Sequence, residues 1–203
     1  TFEDAWNVIK QFGLEQKVPL TVIEHLKKGM QNREVETPKP GSEVFERSYY
    51  YLIGSNQLAM ESAAKAAERL GYHVEIQQNS LHGEARDRAV EWVHKTASYA
   101  GPLPALLLAG GETTVTIRGN GKGGRNQEFV LSVLSEWKKN PLFSKRNTLI
   151  MSAATDGTDG PTDSAGAWAD NDLLEKIIRQ NLDTESYLSN NDAYTFFKLI
   201  DAH

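Results

Sequence analysis

Short apolar segments alternate with longer amphipathic segments from residue 49 to the end of the chain, and this alternation most constrains the fold. The pattern predicts strands at 49–53, 72–77, 104–109, 113–118 and 148–154. It predicts helices at 56–70, 84–99, 126–139, 172–180 and 192–200. Strands that alternate with helices of this length are typical of α/β domains. We therefore predict an α/β fold with a mostly parallel or mixed sheet flanked by helices.

The beginning of the chain has a different pattern. Amphipathic helices are predicted near residues 2–13 and 19–28, the first with a capping box at Thr1 and Asp4. A polar stretch with two prolines and a glycine follows at 30–43, which is typical of a linker or a domain crossing. We expect residues 1–40 to be a short helical remnant of a preceding domain, and 41–203 to form the α/β domain.

Composition excludes several classes of partner. The formal net charge of −5 argues against nucleic acid, whose phosphates are met by clustered lysine and arginine. Since no run approaches the ~18 apolar residues of a membrane span, we expect no membrane insertion. The absence of cysteine rules out disulfides and thiolate metal sites and fits a reducing compartment. The expected location is the cytoplasm, with the mitochondrion as the alternative.

A glycine-rich stretch at 110–128 reads GGETTVTIRGNGKGGRNQE and is the first candidate site. Gly119, Gly121 and Gly124 satisfy the dinucleotide pattern G-x-G-x-x-G between a predicted strand and a predicted helix. The strand before them alternates polar and apolar residues, whereas the first strand of a dinucleotide-binding unit is continuously apolar. A Walker A loop also fails, because Lys122 is followed by Gly123 and not by the required serine or threonine. The glycine pattern by itself is weak evidence.

The charges beside these glycines strengthen the prediction. Arg118, Lys122 and Arg125 supply three cations, and a helix begins near Asn126 with its N–H groups directed at the loop. The natural occupant is an anion, for which Arg125 is the preferred ligand because its planar guanidinium can grip two oxygens. The alternative is a glycine-rich turn whose charges are merely solvated.

A carboxylate-rich stretch, TDGTDGPTD at 155–163, is the second candidate site. Asp156, Asp159 and Asp163 follow an apolar strand, where α/β proteins place functional loops. Mg²⁺ is commonly held by one or two carboxylates together with substrate phosphates and water, so Asp156 and Asp159 are the candidate ligands. Aspartate and glycine are also the commonest turn residues, and Asp163 could instead cap a helix over 164–169.

The two stretches share a cleft if strand 113–118, helix 126–139 and strand 148–154 form one right-handed crossover. Against this, Gly110 and Gly111 look like a tight turn, which would place Glu112, with Ser55 and Asn56, at the opposite edge of the sheet. The sequence leaves this alternative open.

Four motifs together resemble one known family, the glycerate kinases that carry a MOFRL domain, some of which have been labelled hydroxypyruvate reductases. They are the glycine-rich stretch at 110–128, ATDGTDGPTD at 154–163, IGSN at 53–56 and NNDAYTFF at 190–197. The resemblance covers most of the chain. It implies transfer of the ATP γ-phosphate to D-glycerate, giving 2-phosphoglycerate, with Mg²⁺ and a site in a cleft between two domains.

The resemblance also implies roles for individual residues. Arg125, Lys122 and Asp156 would be catalytic, the first two by neutralising the transferred phosphoryl group or the glycerate carboxylate. Asp156 and Asp159 would position Mg²⁺ or the attacking hydroxyl. The substrate-binding set would be Gly119, Gly121, Gly123, Gly124, Asn126, Asp159 and Asn56.

The family's N-terminal nucleotide-binding domain is missing from the sequence, apart from what residues 1–40 represent. The expected partners are therefore glycerate, a nucleotide and that missing domain, and the fragment alone should be inactive. Two other functions stay open: an NAD(P)-dependent hydroxypyruvate reductase, which the alternating strand disfavours, and a non-catalytic anion-binding domain.

Overall fold

The computed structural model describes residues 1–140 and 147–202, with only the backbone described at 78 and 79. The chain divides into two compact units, Thr1–Ile53 and the part from Gly54 onward. The boundary predicted after residue 40 falls inside the first unit. Among the described residues, no helix combines the length and the hydropathy needed to cross a membrane.

The first unit contains two helices, α1 (Phe2–Gln11) and α2 (Leu20–Met30), followed by a short 3-10 helix at Glu43–Phe45. The predicted capping box is present: the Thr1 hydroxyl accepts from the backbone N–H of Asp4, and the Asp4 side chain bonds back to Thr1. Apolar residues of the two helices form a small core of their own around Ile23. The strand predicted over 49–53 is absent, and the side chains of this segment are exposed.

The second unit begins with α3 (Asn56–Arg69), β1 (His73–Glu84), α4 (Ala85–Ala97) and β2 (Ala105–Thr114). It continues with α5 (Arg125–Lys139), β3 (Leu149–Ala153), β4 (Gly166–Asp170), α6 (Asn171–Arg179), α7 (Thr184–Ser189) and α8 (Ala193–Ile200). β1 pairs with β2 in parallel, and β3 pairs with β4 antiparallel. The prediction of an α/β fold with a mixed sheet arrangement and flanking helices is confirmed.

Besides the strand at 49–53, four local predictions are wrong, one of them the separate strand at 113–118, because β2 runs without a break from Ala105 and ends at Thr114. Gly110 and Gly111 form no turn, because β2 continues through them and stays paired with β1 as far as Glu84 and Thr114, with a register shift between Ala109 and Gly111. The alternative helix over 164–169 is replaced by strand β4. β2 and β3 belong to different strand pairs, so the predicted crossover between neighbouring parallel strands does not form among the described residues.

Helix α5 is the centre of the larger core. Its apolar side chains, including the fully buried Leu131 and Leu134, pack in one cluster with residues of α4, α6, α8 and β4. Even polar residues of its first two turns, such as Gln127 and Ser132, are buried. A helix enclosed on all sides cannot shift or rotate without breaking this packing. The first turn of α5 is therefore a fixed platform for the loops that surround it.

Candidate anion-binding site

Residues 118–124, which we call the glycine loop, are held by hydrogen bonds to residues 190–192, which we call the clasp. Five successive backbone N–H groups of the loop donate to the clasp. The N–H groups of Arg118 and Gly119 donate to Asn191 Oδ1 at 2.7 and 3.0 Å. The N–H group of Asn120 donates to Asn190 Oδ1 at 3.1 Å, and that of Gly121 donates to the Asn190 carbonyl at 2.9 Å. The N–H group of Lys122 donates to Asp192 Oδ1 at 3.0 Å. The N–H groups expected to cradle an anion at 118–122 thus already have protein partners.

Two of the glycines are explained by this clasp. A Cβ on Gly119 would collide with the backbone of Asn190, and one on Gly121 would collide with Asp192. The sequence predicts a substrate-binding role for both glycines, but the structure gives them a packing reason. Only a residue without a side chain lets the loop approach the 190–192 motif this closely.

Three N–H groups remain for a ligand. Within the described residues, the backbone N–H groups of Gly123, Gly124 and Arg125 have no protein acceptor. They lie at the N-terminus of α5, where the helix dipole favours negative charge. These three residues line a cleft of about 290 Å³ together with Gly160 and Pro161. Residues of both predicted loops thus line one cleft, although none of Asp156, Asp159 and Asp163 is among its lining residues and no crossover between parallel strands forms in the described part of the chain.

Asp159 joins the two loops by capping α5. Its Oδ1 accepts from the backbone N–H and the side-chain amide of Asn126, both at 3.0 Å, and its Oδ2 accepts from the N–H of Gln127 at 2.9 Å. Asp159 is fully buried, and a Cβ on Gly124 would collide with it. The carboxylate thus stabilises the helix start by hydrogen bonds and by its charge.

The metal prediction fits Asp156 better than Asp159. The Asp159 carboxylate has three N–H donors and no exposure, so it does not fit the predicted role of metal ligand. Asp156 is exposed and accepts one hydrogen bond, from the N–H of Thr158 at 3.2 Å. In the described part of the chain, no group of three or more His, Cys, Asp or Glu residues could hold a metal ion. A single carboxylate suits Mg²⁺ only when phosphates and water complete its shell.

The two candidate cations have different surroundings. Arg125 lines the cleft and forms an ion pair between its Nη2 and Glu112 Oε1 at 3.5 Å, with the arginine side chain about one-third exposed. Lys122 instead holds its ammonium group 4.7 Å from the centre of the Tyr194 ring. Arg125 is thus the cation directly available to a ligand in the cleft.

Asn56 and Asn126 serve as links between motifs. Asn56 lies against Gly110, where a Cβ would collide with its side-chain oxygen, so the IGSN motif meets the strand that carries Glu112. Because Glu112 pairs with Arg125, it lies beside the cleft and not at a remote edge. Asn126 bonds to Asp159 and accepts from the Ser152 hydroxyl at 2.7 Å, which ties α5 to β3.

A cluster around Tyr194 was not predicted from the sequence. The Tyr194 hydroxyl donates to Asp163 Oδ1 at 2.6 Å, and Lys198 Nζ approaches the same hydroxyl at 3.3 Å. The hydrogen bond from Tyr194 lowers the pKa of Asp163, and the charges of Lys198 and Lys122 add to this effect. The motif NNDAYTFF was noted only as part of the family resemblance, and nothing in its spacing pointed to Asp163.

Replacement of Tyr194 by phenylalanine should raise the pKa of Asp163 toward its ordinary value. The change deletes the donor that contributes most to the lowering but keeps the ring beneath Lys122. The pKa is measured by NMR titration of the Asp163 carboxyl carbon in wild type and variant. Tyr187→Phe provides a control that leaves Asp163 untouched. An unchanged Asp163 pKa in Tyr194→Phe would contradict the assignment.

Comparisons with known proteins identify the family. Residues 105–203 match the model of the MOFRL family. This part of the chain belongs to the MOFRL family. The match contains the cleft, the glycine loop, Asp159 and the 190–192 clasp, so the family resemblance predicted from these motifs is confirmed.

The similarity to individual proteins extends over nearly the whole chain. A glycerate 2-kinase of Pyrococcus horikoshii is 36% identical over 98% of this chain, and a glycerate kinase of Rattus norvegicus is 34% identical over 96%. A crystal structure of glycerate kinase from Thermotoga maritima superposes with a TM-score of 0.74 at 34% identity, covering 100% of this chain and 46% of that one. The chain spans 45% and 44% of the two curated relatives.

Proposed function

We propose that this MOFRL chain is the C-terminal part of an ATP-dependent glycerate kinase that converts D-glycerate to 2-phosphoglycerate. Similarity to proteins named glycerate kinase over 96–98% of the chain supports the proposal. The observation that carries it is the cleft in which Arg125 lies beside three backbone N–H groups that have no acceptor among the described residues. The Arg125 guanidinium and the backbone N–H groups suit an anionic substrate, and the remaining catalytic groups would come from the preceding domain of the full-length protein.

The proposed chemistry needs no nucleophilic side chain. Phosphoryl transfer relies on positioning and on stabilisation of charge that spreads over the transferred group. Arg125 can donate two parallel hydrogen bonds to a phosphoryl group or to the glycerate carboxylate. The N–H groups of Gly123, Gly124 and Arg125 would stabilise the same negative charge from the backbone. Lys122, held over Tyr194, would contribute at longer range as a point charge.

Mg²⁺ would supply charge neutralisation on the phosphates when bound. In this chain, Asp156 is the residue that fits it, since Asp159 is committed to α5. Asp159 would then act indirectly, by fixing the first turn of α5 and therefore the three N–H groups in front of it. The two aspartates thus have different proposed roles, whereas the sequence predicted both as Mg²⁺ ligands.

The arrangement disfavours the reductase alternative. In a dinucleotide fingerprint, the glycine loop leaves its backbone free to approach the pyrophosphate. Here the N–H groups of Gly119 and Gly121 bond to Asn191 and Asn190 instead. The sequence thus satisfies the pattern G-x-G-x-x-G, but the N–H groups of its first two glycines already have protein acceptors.

A coupled assay on the full-length protein tests the proposal directly. ADP formation is measured with ATP, Mg²⁺ and D-glycerate, beside NADH consumption with hydroxypyruvate, and ³¹P NMR identifies the product. We expect glycerate-dependent ADP formation and the signal of 2-phosphoglycerate. NADH consumption without ADP formation would favour the reductase. Saturable phosphate binding with neither activity would favour the anion-binding domain.

Replacement of Glu112 by glutamine should lower KM for the anionic substrate by about two- to fivefold. The change removes the carboxylate that competes for Arg125, and an exposed ion pair of this kind is worth up to about 1 kcal/mol. Steady-state kinetics at low ionic strength measure the effect. Glu91→Gln, which breaks the exposed pair with Arg88, is the matched control. An increased KM would mean that Glu112 binds substrate or metal itself.

A further inference from the structure

Asn191 uses its entire hydrogen-bonding capacity on the glycine loop and on α5. Its Oδ1 accepts from the N–H groups of Arg118 and Gly119, and its Nδ2 donates to the Thr116 carbonyl at 3.3 Å and to Glu128 Oε2 at 3.0 Å. A side-chain amide has two acceptor and two donor positions, so all four are occupied. Asn191 is only 7% exposed, which makes each of these bonds costly to lose.

The backbone of Asn191 is also specialised. Its φ of 53° lies in the left-handed region, which asparagine tolerates better than most residues with a side chain. This conformation occurs directly before α8, where Asp192 and Tyr194 bond to the backbone of Lys122. The same short segment thus holds the loop from its start at Arg118 to Lys122.

Glu128 extends the clasp into the protein interior. It lies one helical turn after Arg125 and is almost completely buried. Its Oε1 accepts from Arg86 Nε of α4 at 2.7 Å, while its Oε2 accepts from Asn191. Arg86 also donates to the carbonyl of Leu188, just before the clasp motif. Asn191 is therefore connected through Glu128 to both α4 and α5.

These contacts lie at the candidate site and not in a remote part of the core. Asn191 and Glu128 both line the cleft that contains Arg125. Gly123 and Gly124, whose N–H groups have no protein acceptor among the described residues, are the last two residues of the loop that Asn191 holds. A shift of the loop would move these donors, and a misplacement of about 1 Å can reduce turnover on the order of 10²-fold.

We propose that Asn191 is a positioning residue for phosphoryl transfer, which holds the glycine loop so that the N–H groups at 123–125 and the Arg125 side chain meet the transferred group. The inference rests on the proposed kinase function but assigns a role to a residue outside the predicted site. Asn191 does not itself contact the reacting atoms in this role. It acts through the loop backbone.

The test is Asn191→Gly in the full-length protein, because glycine accepts the left-handed φ and the change removes only the side chain. We expect kcat to fall on the order of 10²-fold, with KM for ATP and for D-glycerate changed less than about threefold. Hydrogen exchange at the amides of residues 118 and 119 should accelerate at least about tenfold, since both lose their acceptor. Because partial unfolding would also lower the apparent kcat at constant KM, turnover is expressed per folded enzyme, and exchange at 118 and 119 reports on the loop itself.

The matched control is Asn171→Ala, which removes a side-chain acceptor from the N–H of Thr148 at a distance from the cleft. It should lower Tm without changing kcat more than about twofold. Normal kcat in Asn191→Gly together with faster exchange at 118 and 119 would overturn the proposal. A large loss of kcat with unchanged exchange would also overturn it, because Asn191 would then act by another route.

A second variant with a smaller structural effect keeps the proposal testable if Asn191→Gly does not fold. Asn190→Ala removes one hydrogen bond, to the N–H of Asn120, and should accelerate exchange at that amide with a several-fold loss of kcat. Unaltered kcat despite accelerated exchange would again count against positioning. If the wild-type protein showed no glycerate-dependent turnover, the proposed function would fail, while the exchange data would still show whether Asn191 holds the loop.

Discussion

Replacement of Arg125 by alanine in the full-length protein should lower kcat with ATP and D-glycerate by about 10²- to 10³-fold. This is the cost of removing one aligned charge-stabilising donor from an active site. Arg125 is the cation that lines the cleft, at the start of a helix that its packing immobilises. Because the core holds the backbone, only the side chain has to move, from its ion pair with Glu112 toward the developing charge. Steady-state kinetics measure the loss.

Two further variants give this prediction its specificity. Arg125→Lys keeps the charge but not the planar pair of donors, so it should recover only part of the lost turnover. Arg179→Ala removes an exposed arginine from the last turn of α6 and should leave kcat within about twofold. Near-normal turnover of Arg125→Ala would remove Arg125 from the catalytic groups. Full recovery in Arg125→Lys would show that a point charge suffices.

Elements fixed by local patterns could be predicted from the sequence. The apolar period of α5 predicts a helix over 126–139, and the structure begins it one residue earlier at Arg125. The predictions were wrong where one residue type is common in two different kinds of structure. Gly110 and Gly111 are typical of a turn, yet they lie inside β2, where Asn56 and the backbone of Leu81 approach too closely for a side chain. Tertiary contacts decided between the two uses.

The same reasoning explains the partial success at the site. The sequence predicted a meeting of the two loops only through a crossover that does not form among the described residues, and the loops meet instead because Asp159 caps α5. The hydrogen-bond acceptors of individual N–H groups could not be predicted, because those acceptors, at Asn191 and Asn190, lie about 70 residues further along the chain. The sequence also could not show that Asp159 is buried against α5 whereas Asp156 is exposed. Both are aspartates in a glycine-rich turn, and only the position of α5 distinguishes them.

Replacement of Asp159 by alanine should destabilise α5 by about 3 kcal/mol. The change leaves the backbone N–H groups of the half-buried Asn126 and the fully buried Gln127 without an acceptor. Loss of an N-cap costs about 0.5–2 kcal/mol, and loss of buried hydrogen bonds to a charged group costs about 1.5–3 kcal/mol. The free energy of opening, obtained from hydrogen exchange of the α5 amides in the full-length protein, measures the effect.

Two aspartates elsewhere provide the controls for this prediction. Asp183 caps α7 through the N–H groups of Glu185 and Ser186 but is exposed, so Asp183→Ala should cost only about 1 kcal/mol. Asp156→Ala should leave the stability of α5 unchanged and raise the Mg²⁺ concentration required for turnover. The opposite pattern would reverse the assignment: a stable Asp159→Ala protein with an altered Mg²⁺ requirement would make Asp159 the metal ligand. We expect Asp159 to stabilise α5 and not to bind Mg²⁺, because its buried carboxylate already accepts hydrogen bonds from three N–H donors.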